Sequence, residues 1–156
     1  MSLTTYINDH LGGATTAIQI LEAMRDQHDD PMFRDFAAVL LPEIVADDRT
    51  LRTIAQKIGS GPSVVKEVGG WILEKAARLK LGHTGSADFA MFESLELLAL
   101  GIHGKLCLWK ALRVAAQQDP RLREFGFEVL MSRAQQQYEQ VESHRLKLAP
   151  FVLVAN

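Results

Sequence analysis

The chain has 156 residues, a net charge of −2 and one cysteine. This size suits a single domain, residues 1–156, with a substantial core. Ordinary apolar content excludes intrinsic disorder, the lone Cys107 excludes a disulfide framework, and the excess of acidic over basic residues argues against nucleic acid as a partner. Because apolar runs are short and the N-terminus is polar, we expect no transmembrane segment, no signal peptide and a cytoplasmic location.

Apolar residues recur at spacings of three and four along nearly the whole chain, which predicts an all-α fold. The five predicted helices cover residues 5–27, 31–58, 64–79, 88–117 and 121–149. Asp30 and Pro31 begin the second helix as a cap followed by a residue suited to the first turn. Gly59 is placed to end that helix, and Pro150 to end the last one.

The lengths of the connections predict the topology. The turns after the first and fourth helices are short, so each pair forms an antiparallel hairpin. The segment between residues 58 and 88 is long enough to traverse the bundle, and it contains the short third helix. The sequence therefore predicts a four-helix bundle of two antiparallel hairpins, with a short fifth helix in the crossover.

This topology resembles the ferritin-like superfamily, in which one long crossover links the second and third bundle helices. Two local strings, YINDHL at residues 6–11 and GIHGK at residues 101–105, are similar to a bacterial ferritin-like group of uncertain function. The resemblance implies a di-iron centre that takes a carboxylate from the first and third bundle helices and Glu-x-x-His from the second and fourth.

The ligand pattern of that family is incomplete in this chain. No Glu-x-x-His occurs in the sequence, and the first helix offers Ala14, Thr15 and Thr16 at its central level instead of a carboxylate. We therefore expect no standard di-iron centre and no resident cofactor. Iron, manganese or zinc remain candidates for an altered site.

One acidic residue interrupts the apolar stripe of the second helix. Asp47 occupies a core position there, where an unpaired charge would cost several kcal/mol. The hairpin geometry puts His103 and Gln137 at about the same level. One interpretation is a structural Asp–His or Asp–Gln hydrogen bond that fixes helix register. Another is an altered metal or small-ligand site formed by Asp47, His103, Gln137 and His10.

A third interpretation is that Asp47 points outward at the kink expected at Pro42. A separate hypothesis for the same level is a pocket. Gly12 and Gly13 leave room opposite Asp47, beside the kink that Pro42 is expected to produce in the second helix. Such a pocket would take a small ligand.

A second candidate cluster is formed by four glutamates on four different helices at similar heights, namely Glu22, Glu43, Glu96 and Glu142. Carboxylate oxygens can hold a divalent cation. The alternative is that these side chains lie on solvated faces, which the helical phase favours for Glu96 and Glu142.

Three features bear on partners. The third predicted helix is basic and amphipathic, which indicates either packing across the bundle or contact with a membrane surface or an acidic partner. The apolar residues 151–154 indicate a segment that docks either back on the bundle or onto a second chain, and the apolar fourth helix is typical of a homodimer. We expect Cys107 to be a buried small apolar residue.

These observations leave two classes of function open. The first is a non-catalytic, oligomeric binding or interaction module that keeps the ferritin-like topology without its ligands. The second is a metal-dependent oxidoreductase or metal-binding protein in which Asp47 and His103 are altered ligands.

Overall fold

The computed structural model describes residues 2–60 and 86–154, and the regular structure in these residues is helical. The four long helices are α1 (Leu3–Gln27), α2 (Pro31–Lys57), α3 (Ala87–Ala115) and α4 (Phe127–Val152). A short 3-10 helix at Pro120–Leu122 lies between α3 and α4. The predicted all-α bundle is confirmed at this level. The predicted helix at residues 64–79 and its basic face lie outside the described residues.

Local capping explains where α2 begins and ends. The Asp30 carboxylate accepts a hydrogen bond of 2.8 Å from the backbone N–H of Met32, and Pro31 occupies the first turn, as predicted. At the other end Gly59 adopts φ +78°, a conformation that glycine tolerates best. The backbone N–H of Ser60 then reaches back to the carbonyl of Ala55 at 2.9 Å, which closes the helix as expected.

The bounds of the last predicted helix were wrong. Asp119 caps the 3-10 turn instead of a long helix, since its carboxylate accepts from the Arg121 N–H at 3.0 Å. This turn buries Leu122, and α4 begins only at Phe127. Pro150 does not end α4, because a proline in the final turn removes only one backbone donor and the helix continues to Val152.

The buried side chains form two clusters that reveal the helix directions. The Trp109 cluster contains apolar residues near the start of α1, the end of α2, the end of α3 and the start of α4, including Ile7, Leu11, Leu51, Ile54, Trp109, Leu112, Phe127 and Leu130. The Leu95 cluster contains the opposite ends, including Leu21, Met24, Phe33, Leu40, Met91, Leu95, Leu98 and Val141. Consequently α1 and α2 are antiparallel, α3 and α4 are antiparallel, and α2 and α3 run in the same direction.

A polar layer separates the two clusters. On α2 it lies between Ile44 and Leu51, which belong to different clusters, and it contains Asp47. On α3 and α4 the corresponding polar residues are Lys105 and Gln137. This layer is therefore the candidate functional region in the interior of the bundle.

Two further findings concern surfaces. Cys107 is exposed, so the prediction of a buried cysteine was wrong; it lies on the side of α3 that faces away from the core, as does the exposed His103 four residues earlier. Within residues 2–60 and 86–154, no helix combines the length and apolar character that a membrane crossing requires.

Candidate functional site: a polar layer and an adjoining cavity

The carboxylate of Asp47 is the centre of the polar layer. Only 2% of its side chain is exposed. One oxygen accepts a hydrogen bond of 2.5 Å from the Lys105 ammonium, and the other accepts from the Arg133 guanidinium. Two cations therefore offset the cost of burying this acid.

Gln137 links this ion pair to a second acid. Its side-chain carbonyl accepts from Lys105 at 2.6 Å, while its amide nitrogen donates to Glu43 at 3.0 Å and to Asp47 at 3.3 Å. The residue is fully buried, and its carbonyl oxygen and amide nitrogen are both satisfied. The two acids and the two cations balance in charge, so the layer is neutral as a whole.

Burial and pairing act on Lys105 in opposite directions. Desolvation lowers the pKa of its ammonium, whereas the neighbouring Asp47 raises it.

The predicted Asp–Gln hydrogen bond is present, but the sequence analysis did not identify Lys105 and Arg133 as partners of Asp47. The sequence contained a signal for Lys105. This residue lies three residues after Ile102 and four before Trp109, so it shares a helix face with two core positions of α3. Arg133 lies one helical turn before Gln137.

A cavity of about 220 Å³ adjoins the layer. Its walls come from α1, α2 and α3, and they include Asp47, Lys105 and several apolar side chains such as Leu51 and Leu108. The space exists because glycines line two of these helices. An added Cβ at Gly13 or Gly104 would meet no atom within 4 Å. The predicted room opposite Asp47 is present, although it lies beside Gly13 and not beside Pro42.

Two buried polar atoms at this cavity have no hydrogen-bond partner in the described chain. They are Oδ1 of Asp48 and the indole nitrogen Nε1 of Trp109. Asp48 is 8% exposed and Trp109 is fully buried, and both residues line the cavity. The other oxygen of Asp48 accepts from the Arg52 guanidinium at 2.8 Å. Buried polar atoms without partners are uncommon in folded proteins. Water cannot reach either atom, so both are enclosed by packed side chains next to the cavity; Nε of Arg133 in the polar layer is a third atom of this kind.

His10 lies at the same cavity, together with the exposed Asp9. Its ring packs edge-on against Tyr6, with the centroids 4.9 Å apart. Desolvation lowers the pKa of the His10 imidazole, and Asp9 partly opposes this effect. Burial therefore favours the uncharged form of the His10 imidazole beside the cavity.

His103 does not join the residues with which it was grouped. It is exposed, and its ring centroid lies 5.7 Å from that of Tyr138 on α4. Lys105, two residues later on α3, takes the inward place that was expected for His103. Of the four predicted ligands, the structure brings Asp47 and Gln137 into contact and places His10 at the adjoining cavity.

The four glutamates of the second predicted cluster are distributed among different partners. Glu96 and Glu142 share Arg145, at 3.4 Å and 2.6 Å from its guanidinium nitrogens. This pairing lowers the pKa of Glu142, chiefly through the hydrogen bond from Arg145. Glu43 belongs to the polar layer, and Glu22 is exposed. Across residues 2–60 and 86–154, no group of three or more His, Cys, Asp or Glu side chains has an arrangement that could hold a metal ion.

Comparison with protein-family models, curated proteins and solved structures found no match to this chain. A functional proposal therefore rests on its own residues and their geometry.

Proposed function

We propose that this protein is a non-catalytic binding module, built as a ferritin-like helical bundle that has no standard di-iron centre. The observation that carries the proposal is the pairing of Asp47. Both of its oxygens are held by cationic side chains of this chain, Lys105 and Arg133. The charge that would attract a metal ion is already neutralised.

The donor set of the polar layer supports this interpretation. A ferritin-like metal pair needs several carboxylates and two imidazoles converging from four helices. The layer instead contributes Asp47, the half-buried Glu43, one amide and two cations. An ammonium and a guanidinium at this position would repel a divalent ion, so the residues do not fit a di-iron pair.

The directions of the helices support a ferritin-like arrangement. The end of α2 lies in the Trp109 cluster and the start of α3 in the Leu95 cluster, so α2 and α3 are parallel. Parallel second and third bundle helices are what a ferritin-like topology requires.

A homodimer is part of the same proposal. The side chains of Phe151, Leu153 and Val154 at the end of α4 are 78%, 61% and 67% exposed. Adjacent exposed apolar residues of this kind are typical of contacts between subunits. Light scattering coupled to size exclusion tests this point: Phe151→Glu should shift a dimer towards the monomer mass, whereas Val129→Glu, on another exposed position of α4, should not.

The experiment that tests the binding-module proposal is metal analysis of untagged full-length protein after reconstitution with iron, manganese and zinc in turn. We expect far less than one metal ion per chain and no ferrous-iron-dependent oxygen consumption. The same measurements on Asp47→Asn should give the same result, because Asp47 binds side chains and not metal.

A matched control separates a site from loose surface binding. Glu22→Gln removes an exposed carboxylate outside the polar layer. Stoichiometric metal that is retained by Glu22→Gln and lost by Asp47→Asn would overturn the proposal and favour the metal-dependent oxidoreductase.

A further inference from the structure

The cavity beside the polar layer opens to solvent between α1 and α3. Asp9 on α1 and Gly101 on α3 belong to its lining and are exposed, whereas the lining residues of α2 are buried and form its floor. An engineered apolar cavity of about 150 Å³ in another protein holds benzene. A cavity of about 220 Å³ therefore has room for about nine non-hydrogen atoms.

Three glycines border this space. Gly13 on α1 and Gly101 and Gly104 on α3 line the cavity, and a Cβ added at any of them would meet no atom of the described chain within 4 Å. Packing against the described helices therefore does not require glycine at these positions. Because glycine inside a helix is less favourable than alanine, the three residues carry a cost that close packing does not explain. A molecule that fills the space between them would explain it.

The charges around the cavity leave one acid without a counter-charge. The polar layer is neutral, because it consists of two acids and two cations, namely Asp47, Glu43, Lys105 and Arg133. Asp48 forms an ion pair with Arg52 at 2.8 Å. Asp9 is the remaining acid of the lining, and no cation within residues 2–60 and 86–154 forms an ion pair with it. The cavity therefore has an excess of negative charge at its mouth.

The neighbouring His10 is a poor counter-charge for Asp9. Desolvation lowers the pKa of its imidazole, so burial favours the uncharged ring. A ligand that brings a positive charge to the mouth would supply what the described chain does not.

We propose that this cavity binds a small primary amine with a single-ring apolar body, about nine non-hydrogen atoms in all, whose ammonium group pairs with Asp9. The inference deepens the proposed binding function and rests on it. Apolar side chains such as Leu51 and Leu108 surround the ring, and apolar walls with a few polar groups are typical of ligand pockets. Because Asp9 is exposed, the ammonium keeps part of its hydration and pays only part of the cost of burying a charge.

The test uses compounds that share one ring and differ in the group at its end. Phenethylamine carries an ammonium at neutral pH, phenethyl alcohol carries a hydroxyl, and phenylacetate carries a carboxylate. Ethylamine keeps the ammonium and lacks the ring. Binding to the full-length protein is followed by NMR titration of the backbone amides of Gly13, Gly101 and Gly104.

We expect phenethylamine to bind at least about tenfold more tightly than phenethyl alcohol, because only the ammonium gains a charged hydrogen bond with Asp9. Phenylacetate should bind most weakly of the three, and ethylamine should bind far more weakly than phenethylamine, since it buries no ring. Tighter or equal binding of the alcohol, the carboxylate or ethylamine would overturn the inference. No binding of phenethylamine up to about 10 mM, the weakest affinity expected for a ligand of this size, would also overturn it.

Charge variants test the role of Asp9. Asp9→Asn should weaken phenethylamine binding at least about fivefold and leave the binding of phenethyl alcohol nearly unchanged. Glu22→Gln removes the same charge from an exposed position of α1 outside the cavity and should not weaken binding. Equal effects of the two variants on phenethylamine would contradict the assignment, because the overall charge of the protein would then account for the affinity.

Space-filling variants connect the binding to the cavity. Gly104→Leu should weaken phenethylamine binding at least about tenfold, whereas Ala111→Leu, on an exposed position of α3 outside the lining, should leave it unchanged. The double variant Gly13→Ala with Gly104→Ala is a milder block that we expect to fold well, and it should also weaken binding. Wild-type affinity in both blocked variants would contradict the proposed site.

The two proposals fail in different experiments. Stoichiometric metal at Asp47 would remove the binding-module function, whatever the amines do. An absence of the expected ranking among the compounds would remove only the ligand assignment.

Discussion

Lys105 on α3 and Asp47 on α2 form an ion pair of 2.5 Å in the interior of the bundle. Their side chains are 15% and 2% exposed, so solvent screens the pair only weakly. The pair joins two parallel helices, and Gln137 extends it to the fourth helix.

Removing Asp47 should strongly destabilise the protein. Asp47→Ala leaves Lys105 and Arg133 without their counter-charge, and breaking a buried pair in this way costs about 3–5 kcal/mol. Urea unfolding measures the loss. Asp26→Ala, which removes an exposed partner of Arg25, should leave the free energy of unfolding nearly unchanged. Similar effects of the two substitutions would show that the interior pair contributes no more than a surface pair.

Replacement of glycine by alanine should change the free energy of unfolding in opposite directions at two positions of this chain. Gly104→Ala adds a methyl group to open space within α3 and should stabilise the protein by about 0.5–1 kcal/mol through helix propensity. Gly59→Ala should instead cost about 1–2 kcal/mol, because residue 59 has φ +78°. Thermal and urea unfolding report both signs, and a destabilising Gly104→Ala would indicate that the space is not open.

His10 should make stability depend on pH. Burial holds its pKa in the folded state below the unfolded value of 6.5, so the unfolded chain binds more protons below that pH. The contribution of His10 is therefore constant well above pH 6.5 and becomes increasingly unfavourable as the pH falls through that value. We expect the urea midpoint to decrease less between pH 7.5 and about 5.5 in His10→Gln than in wild type. Identical profiles for His10→Gln and wild type would contradict the prediction.

Cys107 should react in the folded protein. Its side chain is exposed, so a thiol reagent should modify one group per chain without denaturant. Cys107→Ser, which removes the single cysteine, is the control and should show no reaction. Modification that begins only after urea is added would mean that the thiol is buried.

The sequence allowed the helical fold and the buried acid to be predicted, because both follow from periodicity. Asp47 interrupts a regular apolar stripe, and Asp30 with Pro31 is a specific start signal. The partners of Asp47 were harder to predict, since a long lysine side chain on a core edge usually extends to solvent. To predict whether His103 or Lys105 faces the interior, the rotation of α3 about its own axis must be known to within about one residue. Periodicity alone does not provide that precision.

The start of α4 shows a different limit. Asp119 and Pro120 carry the same signal as Asp30 and Pro31, yet they begin only a 3-10 turn. Burial of Leu122 and Phe127 in the Trp109 cluster determines where the long helix begins. The first residue of the long helix therefore depends on tertiary packing, which can override a local capping signal.

The division of the core by the polar layer has a consequence for local unfolding. Local unfolding that starts at either end of the bundle must break the hydrogen bonds of Asp47, Lys105 and Gln137 before it spreads to the other apolar cluster. We therefore expect the two halves to unfold as separate cooperative units, of the kind that native-state hydrogen exchange resolves. Amides around Trp109 and amides around Leu95 should then exchange with different opening free energies, and loss of the Asp47 pair should bring the two values closer together.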